Sequence, residues 1–467
     1  MNMLSNVSLL QLLNIVHGQL QLTIETQGAD NVPDVVIRGV STDSRKISAG
    51  DLYVPLSGER FNGHHFITQA AEQGAVAALI DQDVDAGLAA RLPLIRVTDC
   101  LIALGQIAGW NRSQFHGPVV AVTGSAGKTS VKQLMSSVLA QRYCTWMTQG
   151  NLNNHVGAPL TLLALAPEHE AAVIELGASG AGEIAYTAQW VKPQVGIITN
   201  AAEAHLEGFG SLNGVVQTKG ELLDFIQPGG YAVLNADDDF YGVWAERSAA
   251  VKQLSFGFSA AADVRASSLQ CDLEGSHFVL HLDGEAYTVR LPLLGEHNVR
   301  NALAVTAAAY ALGLSAAEII QGLQQATTVS GRLHWLDGQS GQRILNDAYN
   351  ANPASVKAAI NVLKHAPRSW LVLGDMAELG ENELEAHADI GRYAHDQGIQ
   401  HLLATGERSR KTTEAFGAGA HWFATKQELV RYLQQQTGNQ DVILVKGSRS
   451  AGMDQVVQAL QMNTEED

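Results

Sequence analysis

Three successive blocks of strand and helix patterning predict an α/β chain of three domains: a small mixed α/β domain, a central parallel-sheet domain and a second α/β domain at the C-terminus. The chain has 467 residues, more than one hydrophobic core can serve. Apolar runs without alternation, "VVAVT", "AAVIEL", "VGIITN" and "YAVLNA", recur between helix-like stretches, as in parallel strands buried on both faces. The same rhythm restarts beyond Gly331 with "RILNDA", "WLVLGDM", "HLLATG" and "DVILVKG".

The first block covers residues 1–100. Its opening, "MNMLSNVSLLQLLNIVHGQL", has no basic segment and is dotted with polar residues. It reads as a short amphipathic helix stopped at Gly18, not as a signal peptide. Strands follow at "VVIRGV", "AVAALID" and "LPLIRV", around the turn-rich "STDSRKISAGDLYVPLSGERFNGHHF". The second block, 101–329, carries the parallel strands. An alternating pattern from Val251 to Leu294 then predicts a small antiparallel insert, and helices run from Glu296 to about Thr327. The third block is 330–467.

Acidic residues number 47 against 30 basic ones, a net charge of −17, which argues against a nucleic-acid-binding surface. A phosphorylated ligand then needs a local basic patch. Cys100, Cys144 and Cys271 are far apart and show no C-x-x-C spacing. That suits a reducing cytoplasm, without disulfides or a structural zinc. No apolar run reaches membrane-spanning length, so no membrane insertion is expected.

The stretch "VVAVTGSAGKTSVKQL" from Val119 joins a β-branched run, a small-residue loop and a helix-like pattern. It fits the phosphate-loop pattern at Gly124, Gly127, Lys128 and Thr129, with Val122 at the first glycine position. Backbone N–H groups from Gly124 to Thr129 can point at a phosphate, Lys128 can neutralise its oxygens, and Thr129 can ligate Mg²⁺. Glu175 ends one buried strand, and Asn200 and His205 follow another. In an open parallel sheet these carboxyl ends share one crevice, so Glu175 and His205 can join Thr129 around a metal. Taken singly they read as a solvated strand-end acid and a loop histidine.

Lys219, on a helix with Glu221 close by, reads from composition alone as a surface lysine. Asn298 and Asn301 are i, i+3 neighbours on a helix opened by His297. They suit recognition, while Asn298 alone suits helix capping. Asp347, Tyr349, Asn350 and Asn352 crowd past a strand end before Pro353. That density of amide and phenol groups fits a polar ligand, and equally a turn. Asp375 ends another strand, and Lys446 with Arg449 ends the last, a candidate anion site.

Together these segments resemble the Mur ligase family, ATP-dependent amide-forming enzymes of peptidoglycan precursor synthesis, over nearly the whole chain. "TGSAGKTS" is similar to that family's phosphate loop, which also lacks the first glycine. "DAYNANPAS", "GDMAELG" and "KGSRSAGMDQVV" resemble the branch that adds D-alanyl-D-alanine to a UDP-N-acetylmuramoyl-tripeptide. "STDSRKISAGDLYVPLSGERFNGHHF" is similar to its UDP-sugar-binding segment.

The resemblance implies a phosphate-loop central domain and a Rossmann-like C-terminal domain. Thr123, Gly124, Ser125, Ala126, Gly127, Lys128 and Thr129 would hold the ATP phosphates. Thr129 and Glu175 would ligate one Mg²⁺, and His205 with a carbamylated Lys219 a second. Asn298, Asn301, Arg332, Asp347 and Tyr349 would hold the nucleoside and phosphates. Asn350 and Asn352 would contact the dipeptide, with Lys446 or Arg449 balancing its charge, and Asn151 and Asn154 would sit by the peptide substrate. Ser44, Arg45, Arg60, Phe61, Asn62 and His64 would hold the UDP-muramoyl end. A cytoplasmic monomer is expected.

Overall fold

The computed structural model describes residues 7–21, 34–58, 61–202 and 206–462. Its three main sheets follow the three blocks. The N-terminal sheet has five strands in the order Gln19–Gln21, Leu94–Arg96, Ala77–Ile80, Asp51–Tyr53, Gly39–Ser41. The predicted strand "VVIRGV" is split at Arg38. Val36–Ile37 pairs with Val7–Ser8, and only Gly39–Ser41 enters the larger sheet. The opening helix, Leu9–Val16, starts at a Ser8 cap and buries Leu9, Leu12 and Val16. It stops at His17, in the left-handed region at φ 49°, one residue before the predicted Gly18. Histidine is among the residues that tolerate this region.

The central sheet has nine strands, in the order Thr145–Met147, Ala171–Glu175, Val119–Thr123, Val195–Ile198, Tyr231–Asn235, Lys252–Gly257, Val264–Cys271, Ser276–Leu282, Glu285–Leu291. The first seven are parallel and the last two close an antiparallel meander. Residues 251–294 are therefore not a separate insert but the continuation of this sheet. Their alternation arises because one face packs on the helix Glu296–Ala311, so Phe278, Leu280 and Val289 share a core with Val120 and Val131.

The C-terminal sheet runs His334–Asp337, Arg343–Asp347, Val442–Lys446, Ser369–Leu373, His401–Thr405, Ala420–Phe423. Only the first strand is antiparallel. The four predicted strands are present, and Ala420–Phe423 adds a half-exposed edge too short and mixed in polarity to show in the pattern. Carboxyl ends of central and C-terminal strands face one another across a cavity of about 720 Å³.

Candidate active site

The strand Val119–Thr123 is wholly buried and turns through residues 124–127 into the helix Lys128–Leu139. Two glycines make this corner possible. Gly124 has φ 147°, and a Cβ there would meet Thr199 Oγ1 at 1.9 Å. Gly127 has φ 87°, and its Cβ would lie 2.6 Å from Asn301 Oδ1. The loop is held from behind. Asn200 accepts from Ser125 N–H through its carbonyl and from Ala126 N–H through Oδ1, both at 3.0 Å. Its Nδ2 and Thr199 Oγ1 donate to Ala126 O at 3.1 and 2.6 Å. Thr123 Oγ1 donates to Leu176 O (2.8 Å), below the loop. No side chain caps the helix, so its first N–H groups face the cavity as anion donors.

Lys128 turns inward and donates to Gly124 O at 2.6 Å. Burial, foremost, pulls its pKa below the usual lysine value; Glu175 opposes this and Arg332 adds to it. Glu175 is almost fully buried at its strand end. Its Oε1 accepts from Thr129 Oγ1 (3.2 Å) and Asn153 Nδ2 (2.8 Å), and its Oε2 lies 3.2 Å from Lys132 Nζ. Lys128 and Arg332, which line the cavity, supply the local basic patch that the acidic chain as a whole lacks. Lys132 and Asn153 were not singled out from the sequence. Lys132 lies one helical turn after Lys128, and Asn153 lies between Asn151 and Asn154.

Lys219 is not the surface lysine that composition suggests. It is 2% exposed on the helix Leu212–Gly220, with its ammonium 5.1 Å from the centre of the Phe209 ring. Burial first, then the charge of Lys128, lowers its pKa to about 7. Neighbouring Glu221 faces away and accepts from Gly182 N–H and Ala185 N–H, both at 2.9 Å. His205 lies outside the described residues.

Asn298 does not cap its helix: the cap is Gly295, with no side-chain bond. Asn298 Nδ2 instead donates to Leu294 O (2.9 Å), and its Oδ1 accepts from Asn301 Nδ2 (3.2 Å). His297 beside them is held at about 4 by burial, Lys446 and Arg300, so it is neutral at physiological pH. Arg332 reaches across from the third block and donates to Thr129 Oγ1 at 3.1 Å, with its guanidinium 4.6 Å from the centre of the Tyr349 ring.

The third-block residues are largely bonded to one another. Asp347 accepts from Leu333 N–H (3.2 Å) and from Lys446 Nζ (2.5 Å). Lys446 also donates to Asn350 O at 2.9 Å. Lys446, read from the sequence with Arg449 as a candidate anion site, is thus ion-paired with Asp347 at the cavity wall. Arg449 is exposed, 5.8 Å from the centre of the Tyr349 ring. Asn350 Oδ1 accepts from Ala351 N–H, and Asn352 caps the helix Pro353–Leu363 in a reciprocal box with Ser355. Asn154 likewise accepts from Gly157 N–H (2.8 Å) at the start of the helix Gly157–Leu163. Asn151, Asn153 and Asn154 line the cavity with Asn298, Asn301, Arg332, Asp347, Tyr349, Asn350 and Asn352.

The N-terminal candidates stand apart from this cavity. Ser44 Oγ donates to Gln69 Oε1 (2.9 Å), and Arg45 pairs with Asp43 at 2.9 Å on the surface. Asn62 Oδ1 accepts from His64 N–H and from His64 Nδ1, both at 2.9 Å. His64 Nε2 then faces Asp81, whose Oδ2 accepts from Cys100 N–H (2.9 Å). The Phe61 ring is 59% exposed beside them. Arg60 lies outside the described residues.

Comparisons with known proteins agree with this layout. The chain matches the family models for the Mur ligase family catalytic domain at residues 36–111, the Mur ligase middle domain at 122–309 and the Mur ligase glutamate ligase domain at 331–449. It is 42% identical to the UDP-N-acetylmuramoyl-tripeptide–D-alanyl-D-alanine ligase of Escherichia coli, over 98% of this chain and 99% of that protein. Against the Bacillus subtilis ligase of the same name identity is 34%, covering 91% and 93%. Among solved structures, MurF from Acinetobacter baumannii superposes with a TM-score of 0.90 at 34% identity, over 97% of this chain and 98% of that one. MurF ligase from Thermotoga maritima, in complex with ADP, gives 0.81 at 25% identity, over 92% and 98%.

Proposed function

The chain belongs to the Mur ligase family, and from that premise we propose that it joins D-alanyl-D-alanine to the C-terminal carboxylate of UDP-N-acetylmuramoyl-tripeptide, consuming ATP, in peptidoglycan precursor synthesis. The observation that carries this reading is the uncapped glycine corner at 124–129, with Glu175 on one side and Arg332 of the third block on the other.

A carboxylate resists an amine because its leaving group would be oxide. Attack of a carboxylate oxygen on the γ-phosphorus of ATP releases ADP and gives an acyl phosphate. The amine of D-alanyl-D-alanine then attacks the acyl carbon, loses a proton, and phosphate departs. The protein contributes alignment and neutralisation of charge. The loop N–H groups and Lys128 receive the β/γ oxygens, and Asn298, Asn301, Arg332 and Tyr349 the rest of the nucleotide. Asn151, Asn154, Asn350 and Asn352 face the peptide ends. With Lys446 paired to Asp347, Arg449 is the cation left for the dipeptide carboxylate. An acyl phosphate hydrolyses in water, so the Arg332–Thr129 contact between the two α/β domains also serves to close the cavity.

Thr129 and Glu175 suit a hard divalent cation. Thr129 Oγ1 lies 3.2 Å from Glu175 Oε1, and Glu175 Oε2 makes no hydrogen bond, being ion-paired with Lys132 3.2 Å away. Magnesium bound there supplies positive charge between the two reacting anions. A second ion would take His205 and a carbamate on Lys219. At a pKa of about 7 that amine is half neutral at neutral pH, the form that adds CO₂. Ser44, Arg45, Arg60, Phe61, Asn62 and His64 would hold the UDP-muramoyl end, the exposed Phe61 ring offering a face for the uracil. Residues 1–100, 101–329 and 330–467 divide these tasks between UDP-sugar binding, ATP binding and dipeptide binding. A monomer is the working form in this reading. ATP as co-substrate supports a cytoplasmic location, and among the described residues no helix is long and apolar enough to cross a membrane.

The test is the mass of the product formed from UDP-N-acetylmuramoyl-tripeptide, ATP, Mg²⁺ and D-alanyl-D-alanine. Release of ADP should need both co-substrates. ADP release without the tripeptide would point to a nucleotide-driven switch instead. Faster joining of a free diamino acid to the UDP-muramoyl-dipeptide would move the chain to another branch of the family.

A further inference from the structure

One buried lysine takes no part in the ligand contacts above. Lys132 is 3% exposed, on the helix Lys128–Leu139. Its ammonium donates to Gly150 O at 3.0 Å and lies 3.2 Å from Glu175 Oε2. Oε1 of the same carboxylate is held by Thr129 and Asn153. Oε2 has no hydrogen bond, so Lys132 acts on it through charge. Burying an ammonium is costly, and an apolar side chain of the same size would fill the space at least as well. The position therefore calls for a charge. Gly150 opens the segment that carries Asn153, and Asn153 O accepts from Gly177 N–H (2.8 Å), two residues beyond Glu175. Lys132 and Asn153 thus grip the strand end and the 150–154 segment from two sides.

We propose that Lys132 is a positioning residue: its ammonium, set between the Gly150 carbonyl and Glu175, aims the carboxylate at a divalent cation and locks the 150–154 segment to it. The proposal rests on the reading of Glu175 as a magnesium ligand. Groups that orient a metal ligand without touching the metal typically contribute 10–100-fold in metal affinity or activity.

The experiment measures Mn²⁺ binding in the presence of ADP, from the electron paramagnetic resonance of free and bound ion. It compares the wild type with Lys132→Met, Lys132→Arg and Glu175→Gln. Lys132→Met should weaken Mn²⁺ binding about 10–100-fold, Lys132→Arg should recover most of it, and metal-free ADP should bind all of them alike. KM for the UDP-muramoyl-tripeptide should rise in Lys132→Met as the segment is released. If Glu175→Gln weakens Mn²⁺ binding and Lys132→Met does not, the lysine is merely structural and the proposal is overturned, with the magnesium reading intact. If Glu175→Gln has no effect on Mn²⁺, the magnesium reading falls and the proposal with it. Should Lys132→Met fail to fold, Lys132→Gln, which keeps a donor for Gly150 O but no charge, carries the same expectation.

Discussion

The helices Lys128–Leu139 and Pro353–Leu363 both begin just beyond strand ends that face the cavity, and their first turns are closed in opposite ways. The first starts at Gly127, with no side-chain cap. The second starts at Asn352, whose side chain bonds Ser355 N–H while Ser355 bonds back, with Pro353 at the first helical position. A capped first turn has spent its donors on the protein. An uncapped one keeps them, together with the positive end of the helix dipole, for a ligand. The charges differ in the same sense. Around the first corner, Lys128, Lys132 and Arg332 gather near a single buried carboxylate, Glu175. Around the second, Lys446 and Asp347 cancel. The unfinished corner keeps donors and cations open to an anion, and the finished one is a closed turn that presents a few spare amides.

Lys446→Met tests the finished corner hardest. It leaves Asp347 buried without its cation, at a cost of about 3–5 kcal/mol, read as a drop in denaturant midpoint. A variant that kept its stability and lost only dipeptide affinity would break the contrast, because Lys446 would then be a ligand group. Lys128→Ala tests the open corner. Amide formation should fall about 10²–10³-fold, followed by ADP release, with the melting temperature held. Near-normal turnover would remove the loop as the ATP site.

Lys219 extends the contrast to titration, since the charge of Lys128 at the open corner helps hold its pKa at about 7. Its neutral form is favoured by the fold, so the reactive amine grows as pH rises through 7. At fixed CO₂ pressure, the carbamate signal from ¹³C-labelled CO₂ should climb steeply between pH 6 and pH 8 until the site saturates, because the neutral amine grows about tenfold and carbamate formation itself releases a second proton. In Lys128→Ala the midpoint should move upward. A signal flat with pH would end the carbamate idea.

Asn352 gives the smallest effect and the sharpest sorting. Asn352→Ala should cost about 1 kcal/mol of stability through the lost cap. Asn352→Ser should restore that stability, because serine caps as well. If Asn352 also touches the dipeptide, KM for D-alanyl-D-alanine stays raised in both variants while ATP affinity does not change. Full recovery in Asn352→Ser would leave the residue as a cap alone.

Local order in the chain was enough for much of this. The corner at 124–129 is legible because its geometry is carried by adjacent residues: a β-branched strand, glycines where φ must be positive, then Lys128 and Thr129. Parallel strands show as unbroken apolar runs because both their faces are buried, so Glu175 could be placed at a strand end. The 251–294 segment misled for the same reason, since alternation reports a half-covered sheet but not which sheet it joins. Burial and charge pairing were decided by the tertiary structure. Nothing near Lys219 in sequence says that its helix face is closed off, and nothing near Lys446 says that Asp347, 99 positions away, lies on the neighbouring strand. Asn200 behind the loop and Arg332 over Thr129 are separated from their partners by 74 and 203 positions. The sequence by itself determined the open corner at 124–129, because φ angles and helix starts are short-range properties. Which charges face it, which are cancelled, and which amides remain open follow from the order of strands in the sheets, and that order exists only once the chain has folded.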